Sequence, residues 1–223
     1  MVQSTCTSLT SRLGRCFVPN TENGRLMVLE GIPGAGKTTA LHRVSKMLGA
    51  VMVSQLDHTT ELSGVMYDEA QRWYVVAEIE RQEFIRASLA TSTKVIQDRN
   101  IISTLAFAYA SAKRYGESKY FTTTLRMILR ETPELLVRPN VLMVLMVDPA
   151  VGLLRRRKLS GEPLDQVWRD DSFLKYHAEF YTELACLLPA DVVITLDTTD
   201  LTPEDTALTV AQAMRCELSG ARK

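Results

Sequence analysis

Residues 31–38, GIPGAGKT, constrain what this chain can fold into more than any other stretch. They fit G-x-x-x-x-G-K-[ST], a loop whose glycines let the backbone take positive φ and turn successive N–H groups inward around an anion. The apolar run before it, residues 26–29, has the character of a fully buried strand. After it a helix is expected from Lys37 to about Leu48, with Gly49 as its stop. The N-terminus of that helix adds positive potential beneath the loop. Gly31, Gly34, Ala35, Gly36, Lys37, Thr38 and Thr39 are therefore expected to hold the phosphates of a nucleotide. Lys37 would reach the β- and γ-phosphates, and the Thr38 hydroxyl would ligate Mg²⁺.

The rest of the chain repeats the alternation that this loop begins. Residues 50–54 (AVMVS) read as a second strand, followed by a long helical region over about 60–90. Lys94–Asp98 (KVIQD) is a third strand, and helices are expected over 101–113 and 118–130. Residues 141–148 (VLMVLMVD) form a continuous apolar strand, followed by a basic helix, a polar loop around Gly161 and Pro163, and a helix over about 170–187. A last strand is expected over 192–196 and a last helix over 202–218. Buried-type strands alternating with helices predict an α/β fold, a parallel sheet covered on both faces. Ligands of such a sheet bind at the carboxyl ends of its strands, where the glycine loop, Asp57, Asp98 and Asp148 all fall.

Bulk properties exclude several function classes. The chain has 223 residues, with 26 basic and 26 acidic side chains, so no net charge marks a nucleic-acid binder. No apolar run approaches the roughly 20 residues needed to span a bilayer. Cys6, Cys16, Cys186 and Cys216 lack C-x-x-C spacing, and His42, His58 and His177 are scattered. Zinc is not expected, and the cysteines read as free thiols of a cytoplasmic enzyme. Residues 1–24 are rich in Ser and Thr, with Arg12 and Arg15 and no acid before Glu22. That composition is weakly like a transit peptide, but the favoured expectation is a loose extension before a single domain over 25–218, with a short tail at 219–223.

The fate of the phosphate is a separate question. The guanine-reading N-K-x-D of GTPase switches is absent, and Asp148 is followed by Pro149 and Ala150 rather than the Glu that polarises water in motor ATPases. Transfer to a small acceptor needs cations around the moving phosphate, a carboxylate that organises Mg²⁺ and a second pocket. The cations are Arg155, Arg156, Arg157 and Lys158, at the start of a lid expected over about 155–170. Closing over the nucleotide would bring Arg155 to the transferring phosphate, with Arg156 and Arg157 on the ATP side. The carboxylate is Asp98, and Arg99 beside it offers a two-pronged donor for an acceptor phosphate. The plainer alternatives are a solvated basic face and an Asp–Arg pair that caps a helix.

Several segments together resemble one family. QDRNIISTLAFAYA is similar to the D-R-[YF]-x-x-S-x-x-A-Y-Q stretch of thymidylate kinases, with Asp98, Arg99, Ser103 and Ala106 in register. EGIPGAGKTTAL resembles the same family's phosphate loop, and DPAVGLLRRR its entry to the lid. FLKYHAEFYTELA resembles a helix of that family that carries a Phe followed by Y-x-x-L-A, through Phe173, Tyr181, Leu184 and Ala185. The resemblance spans about residues 25–214. It implies the fold of the thymidylate kinase and deoxynucleoside kinase group, a P-loop three-layer sandwich with a five-stranded parallel sheet and a lid. It also implies ATP and Mg²⁺ as donor and, by analogy, a homodimer. The acceptor side departs from the pattern: Pro33 replaces an acid, Asn100 an aromatic residue and Ala108 a glutamine, and SQLDHTTEL stands where R-E-P-G-G is expected.

The acceptor's class follows from whether a base is needed. A nucleoside monophosphate attacks with an oxygen that is already anionic, whereas an alcohol must lose a proton. Asp57 lies just after the second strand, where deoxynucleoside kinases carry a base, and it could equally start a turn. Pocket walls are expected from Arg72, Trp73, Glu78 and Arg81 on the long helix, together with Arg99, Ser103 and Phe107. The favoured expectation is ATP-dependent transfer to a nucleoside monophosphate. A nucleoside or other alcohol kinase with Asp57 as base comes second, and a P-loop ATPase or regulatory module without an acceptor third.

Overall fold

The structure is a computed structural model that describes residues 11–55, 66–160, 166–184 and 188–218. Its elements, in chain order, are β1 (Phe17–Val18), β2 (Arg25–Gly31), α1 (Lys37–Leu48), β3 (Val51–Val53), α2 (Tyr67–Thr91), β4 (Lys94–Asp98), α3 (Ile101–Tyr115), α4 (Lys119–Glu131), β5 (Leu136–Val137), β6 (Val141–Met146), α5 (Pro149–Ser160), a 3₁₀ turn (Gln166–Arg169), α6 (Asp171–Leu184), β7 (Val192–Asp197) and α7 (Pro203–Leu218).

The main sheet has five parallel strands in the order β3-β4-β2-β6-β7. The strand that carries the glycine loop is therefore central, with Leu29 opposite both Asp98 and Met143. The apolar runs of β2, β4 and β6 explain this order. Leu26, Met27, Val28, Leu29, Val95, Ile96 and Met143 are essentially without solvent exposure, as strands covered on both faces require. The edge strands are less buried: every residue of β7 is half-buried or exposed. Right-handed crossovers put α1, which leads leftward from β2 to β3, on one face of the sheet. The helices of the rightward crossovers, α2, α3, α4 and α6, lie on the other. Packing agrees: α1 contacts α7, whereas α3 contacts α4 and α6.

Local signals set the ends of the helices around the site. Gly49 closes α1 at φ 60°, and Asn100 caps α3 by accepting from the Ile102 N–H at 2.9 Å. Asp148 caps α5, its Oδ1 accepting from the N–H groups of Ala150 and Val151, so this acid at the mouth of β6 is occupied with a helix end.

The N-terminal segment corrects one expectation. From residue 11 onward it is not loose: Leu13, Cys16 and Phe17 are buried in the core, and β1 pairs in parallel with β5. Three apolar side chains within a Ser/Thr-rich stretch do this, and a two-residue strand is too short to show a period. Cys16 is a buried free thiol. Among the described residues no helix is long and apolar enough to cross a membrane.

Candidate active site

The glycine loop is shaped by one close approach. Gly34 sits at φ 80°, and a Cβ there would stand 2.3 Å from the carbonyl oxygen of Gly152 on α5. Two glycines thus let the loop and α5 touch backbone to backbone. Within the loop the buried Lys37 donates from Nζ to Gly31 O at 2.9 Å and Ile32 O at 2.7 Å. Its pKa lies well below the ordinary lysine value, chiefly because it is buried and then because of the Arg99 charge, with Asp98 and Glu30 pulling the other way. An anion in the loop would reverse that balance.

The Thr38 hydroxyl donates to Asp98 Oδ2 at 3.0 Å. Asp98 has no solvent exposure, and its Oδ1 has no hydrogen-bond partner. A hydroxyl beside a carboxylate with one uncommitted oxygen fits Mg²⁺, which keeps water and phosphate oxygens in its shell. Among the described residues no cluster of three or more His, Cys, Asp and Glu is close enough to hold a metal.

Asp98 and Arg99 form a turn at the carboxyl end of β4. Arg99 takes the left-handed conformation, φ 58°, rare for a residue with a side chain. Its N–H donates to Leu29 O at 2.9 Å. Its guanidinium reaches Gln55 Oε1 at 3.1 Å, Ser103 Oγ at 3.0 Å and Gly31 O at 3.4 Å. Behind it, the buried Glu30 accepts from Asn100 N at 2.8 Å, Ser103 Oγ at 2.6 Å and Tyr181 OH at 2.8 Å. On the other side Arg81 Nη2 donates to the carbonyls of both Asp98 and Arg99, at 3.1 and 3.2 Å. Glu78 pairs with Arg81 at 3.1 Å and accepts from Gln82 and Gln97. Burial pushes Glu78 up to about 7 despite those partners.

Lys37, Thr38, Gln55, Glu78, Arg81 and Arg99 line one cleft of about 1070 Å³ that runs from the glycine loop to α2, α3 and the 3₁₀ turn. Its donor end has Thr39, Leu201, Pro203 and Thr206. At the other end the rings of Tyr67 and Phe107 stack with centroids 6.4 Å apart, and Trp168 meets Phe107 edge-on at 5.7 Å. His177 is buried in the wall between Trp168 and Tyr181, with Nδ1 unpartnered. It is held neutral by its burial and by the charges of Arg99 and Lys37.

Most residues expected from the sequence meet in this cleft, but three expectations are corrected. Arg72 and Trp73 do not line it: Arg72 is exposed, and Trp73 packs edge-on against Tyr74. At 100° per residue, Tyr67, Gln71, Tyr74, Glu78 and Arg81 share the inner face, and 72 and 73 fall off it. Arg155 lies at the cleft, but its Nη2 donates to the carbonyls of Thr198, Thr199 and Leu201 at 2.9, 2.9 and 3.1 Å, so it clamps the loop after β7. Ser103 is committed to Glu30 and Arg99. Arg156 borders the cleft over the Trp168 ring, 5.7 Å from its centroid. Asp57 and residues 161–165 of the expected lid lie outside the described residues, as does the side chain of Arg157. Glu30, Gln55, Gln71, Tyr67 and His177 were missed. The phase of α2, counted from Glu78, would have found the two on that helix.

A central phosphate loop with a Thr–Asp pair beside it and an arginine-lined second pocket are the features of a P-loop nucleotide site. The chain is 29% identical over 209 residues to the thymidylate kinase of Vibrio campbellii, covering 84% of this chain and 94% of that one. To the thymidylate kinase of Vibrio parahaemolyticus it is 29% identical over 189 residues, 75% and 86% of the two chains. The thymidylate kinase of Candida albicans shares the fold at TM-score 0.67 and 15% identity, over 88% of this chain and 93% of that one. Deoxyadenosine kinase from M. mycoides shares it at TM-score 0.66 and 15% identity, over 85% and 98%. No protein-family model matches. The chain is distantly similar in sequence to thymidylate kinases, and solved thymidylate kinase and deoxyadenosine kinase structures share its fold.

Proposed function

We propose that the protein transfers the γ-phosphoryl group of ATP to a nucleoside monophosphate. One observation carries this reading: Lys37 Nζ and Arg99 Nη1 converge on the same carbonyl oxygen, Gly31 O, at 2.9 and 3.4 Å. Lys37 belongs to the donor grip and Arg99 to the acceptor pocket, so the two cations flank the point where a moving phosphoryl group has to sit. An oxygen of the acceptor phosphate attacks the γ-phosphorus as the bond to the ADP oxygen breaks, and no proton has to leave. Among the described residues this suits the carboxylates at hand, because Glu30 and Glu78 each accept from three donors and Asp98 faces Thr38. Mg²⁺, held by Thr38 and Asp98, would neutralise charge on the phosphate oxygens. Tyr67 and Phe107 offer a flat apolar wall to a base.

A second reading, an alcohol acceptor with Asp57 as base, has one observation in its favour. Gln55, two residues earlier, bonds Arg99, so the chain leaving β3 is already at the acceptor end. Incubation with ATP·Mg²⁺ and separate pools of nucleoside monophosphates, nucleosides and small alcohols, read by mass spectrometry, separates the two. A diphosphate product is expected, and it should vanish in Lys37→Ala. Arg99→Ala should cost a phosphate acceptor about a hundredfold in kcat/KM. A monophosphate product would transfer the reading to the alcohol kinase, and steady ADP without product would leave a P-loop ATPase.

A further inference from the structure

Glu78 and Arg81 lie on the cleft wall, where direct contact with the acceptor is the obvious role, but their bonds point elsewhere. Arg81 Nη2 is spent on two successive carbonyls, Asp98 O and Arg99 O, and Nη1 on Glu78 Oε2. Arg81 is 11% exposed and Glu78 3%. The turn they grip joins a residue that faces Thr38 to one at φ 58°, a conformation that costs about 1 kcal/mol or more and persists only when its surroundings fix it. The far side of the turn is pinned separately by the Arg99 N–H on Leu29 O and by Glu30 on the Asn100 N–H.

Building on the kinase reading, we propose that Glu78 and Arg81 are positioning residues: Glu78 aims the Arg81 fork, and the fork locks the Asp98–Arg99 turn. Asp98 then presents its uncommitted Oδ1 beside Thr38 for Mg²⁺, and Arg99 faces the acceptor. A planar fork is needed because one group must meet two carbonyls and a carboxylate at once, which the single ammonium of lysine does poorly.

The test compares ATP affinity with and without Mg²⁺, by calorimetry, in the wild type, Arg81→Met, Arg81→Lys and Asp98→Asn. Methionine keeps the stem and removes every donor, and the buried Glu78 is left able to take up a proton. Wild type should bind Mg·ATP more tightly than ATP alone, and Asp98→Asn should abolish the difference. Both Arg81 variants should lose about tenfold of that Mg²⁺ enhancement while their affinity for metal-free ATP stays within about twofold of wild type. A structural role would lower the melting temperature and leave the Mg²⁺ enhancement intact, and that result overturns the proposal. So does a change confined to the acceptor's KM. If Arg81→Met does not fold, Arg81→Lys, which keeps the charge opposite Glu78, decides the matter alone. Failure of the wild type to bind ATP would instead refute the kinase reading.

Discussion

Gly152 is a glycine in the interior of α5, where an alanine ordinarily stabilises a helix by about 1 kcal/mol. Here the sign should reverse. A Cβ at this position would stand 2.8 Å from the carbonyl oxygen of Pro33 and 3.0 Å from Val147 Cγ1. Ordinary contact begins near 3.4 Å, so the loop and the helix must part by about 0.6 Å (3.4 − 2.8). The Pro33 atom is backbone, and Gly34 behind it packs equally closely on α5, so no side-chain rotation relieves the overlap. Overpacking of this kind costs about 1–3 kcal/mol, which leaves Gly152→Ala destabilised by about 1 kcal/mol after the helix-propensity gain. For a chain of this size that is a fall in Tm of about 2–4 °C. Because the displaced backbone is the phosphate loop itself, the dissociation constant for ATP should rise about tenfold. Calorimetry and a thermal melt measure both. A higher Tm with unchanged ATP affinity would refute the claim that the loop is shaped by its contact with α5.

Two further outcomes follow from the same geometry. Burial raises Glu78 from an ordinary 4.5 to about 7, so its contribution to stability is fully present below about pH 4.5 and is lost as pH rises through 7. The unfolding free energy of wild type minus that of Glu78→Gln, from urea titrations, should fall by about 3 kcal/mol between pH 4.5 and 8; parallel curves would mean that the carboxyl is not buried as described. Arg155→Ala frees the loop that lines the donor end of the cleft, so it should raise KM for ATP about tenfold with a smaller change in kcat. A large loss in kcat alone would return Arg155 to the transferring phosphate.

The signals that could be read in the sequence were local and covalent in spacing. GIPGAGKT fixes its own loop, KVIQD is the strand Lys94–Asp98, and Gly49 stops α1 where a positive φ is needed. What escaped depended on angle or on distant partners. Arg72 and Trp73 have the right chemistry for a pocket and the wrong phase on α2. Arg155 has the right charge, but the carbonyls it clamps lie more than forty residues away. Leu13 and Phe17 are apolar residues in a polar stretch, and only β5 shows what they are for.

By itself, then, the sequence determined an α/β chain with a phosphate grip at the end of a buried strand and an Asp–Arg pair at the end of another. Each of these follows from the residues that carry it, because backbone freedom, apolar runs and caps act over a few positions. Only the tertiary structure decided that Lys37 and Arg99 share one carbonyl oxygen and that Glu30 and Arg81 brace a single turn from opposite sides. It also decided that Asp98 keeps an unpaired oxygen beside Thr38. Those relations arise where β2 and β4 lie side by side, and their register is set by burial of the whole sheet rather than by any one segment.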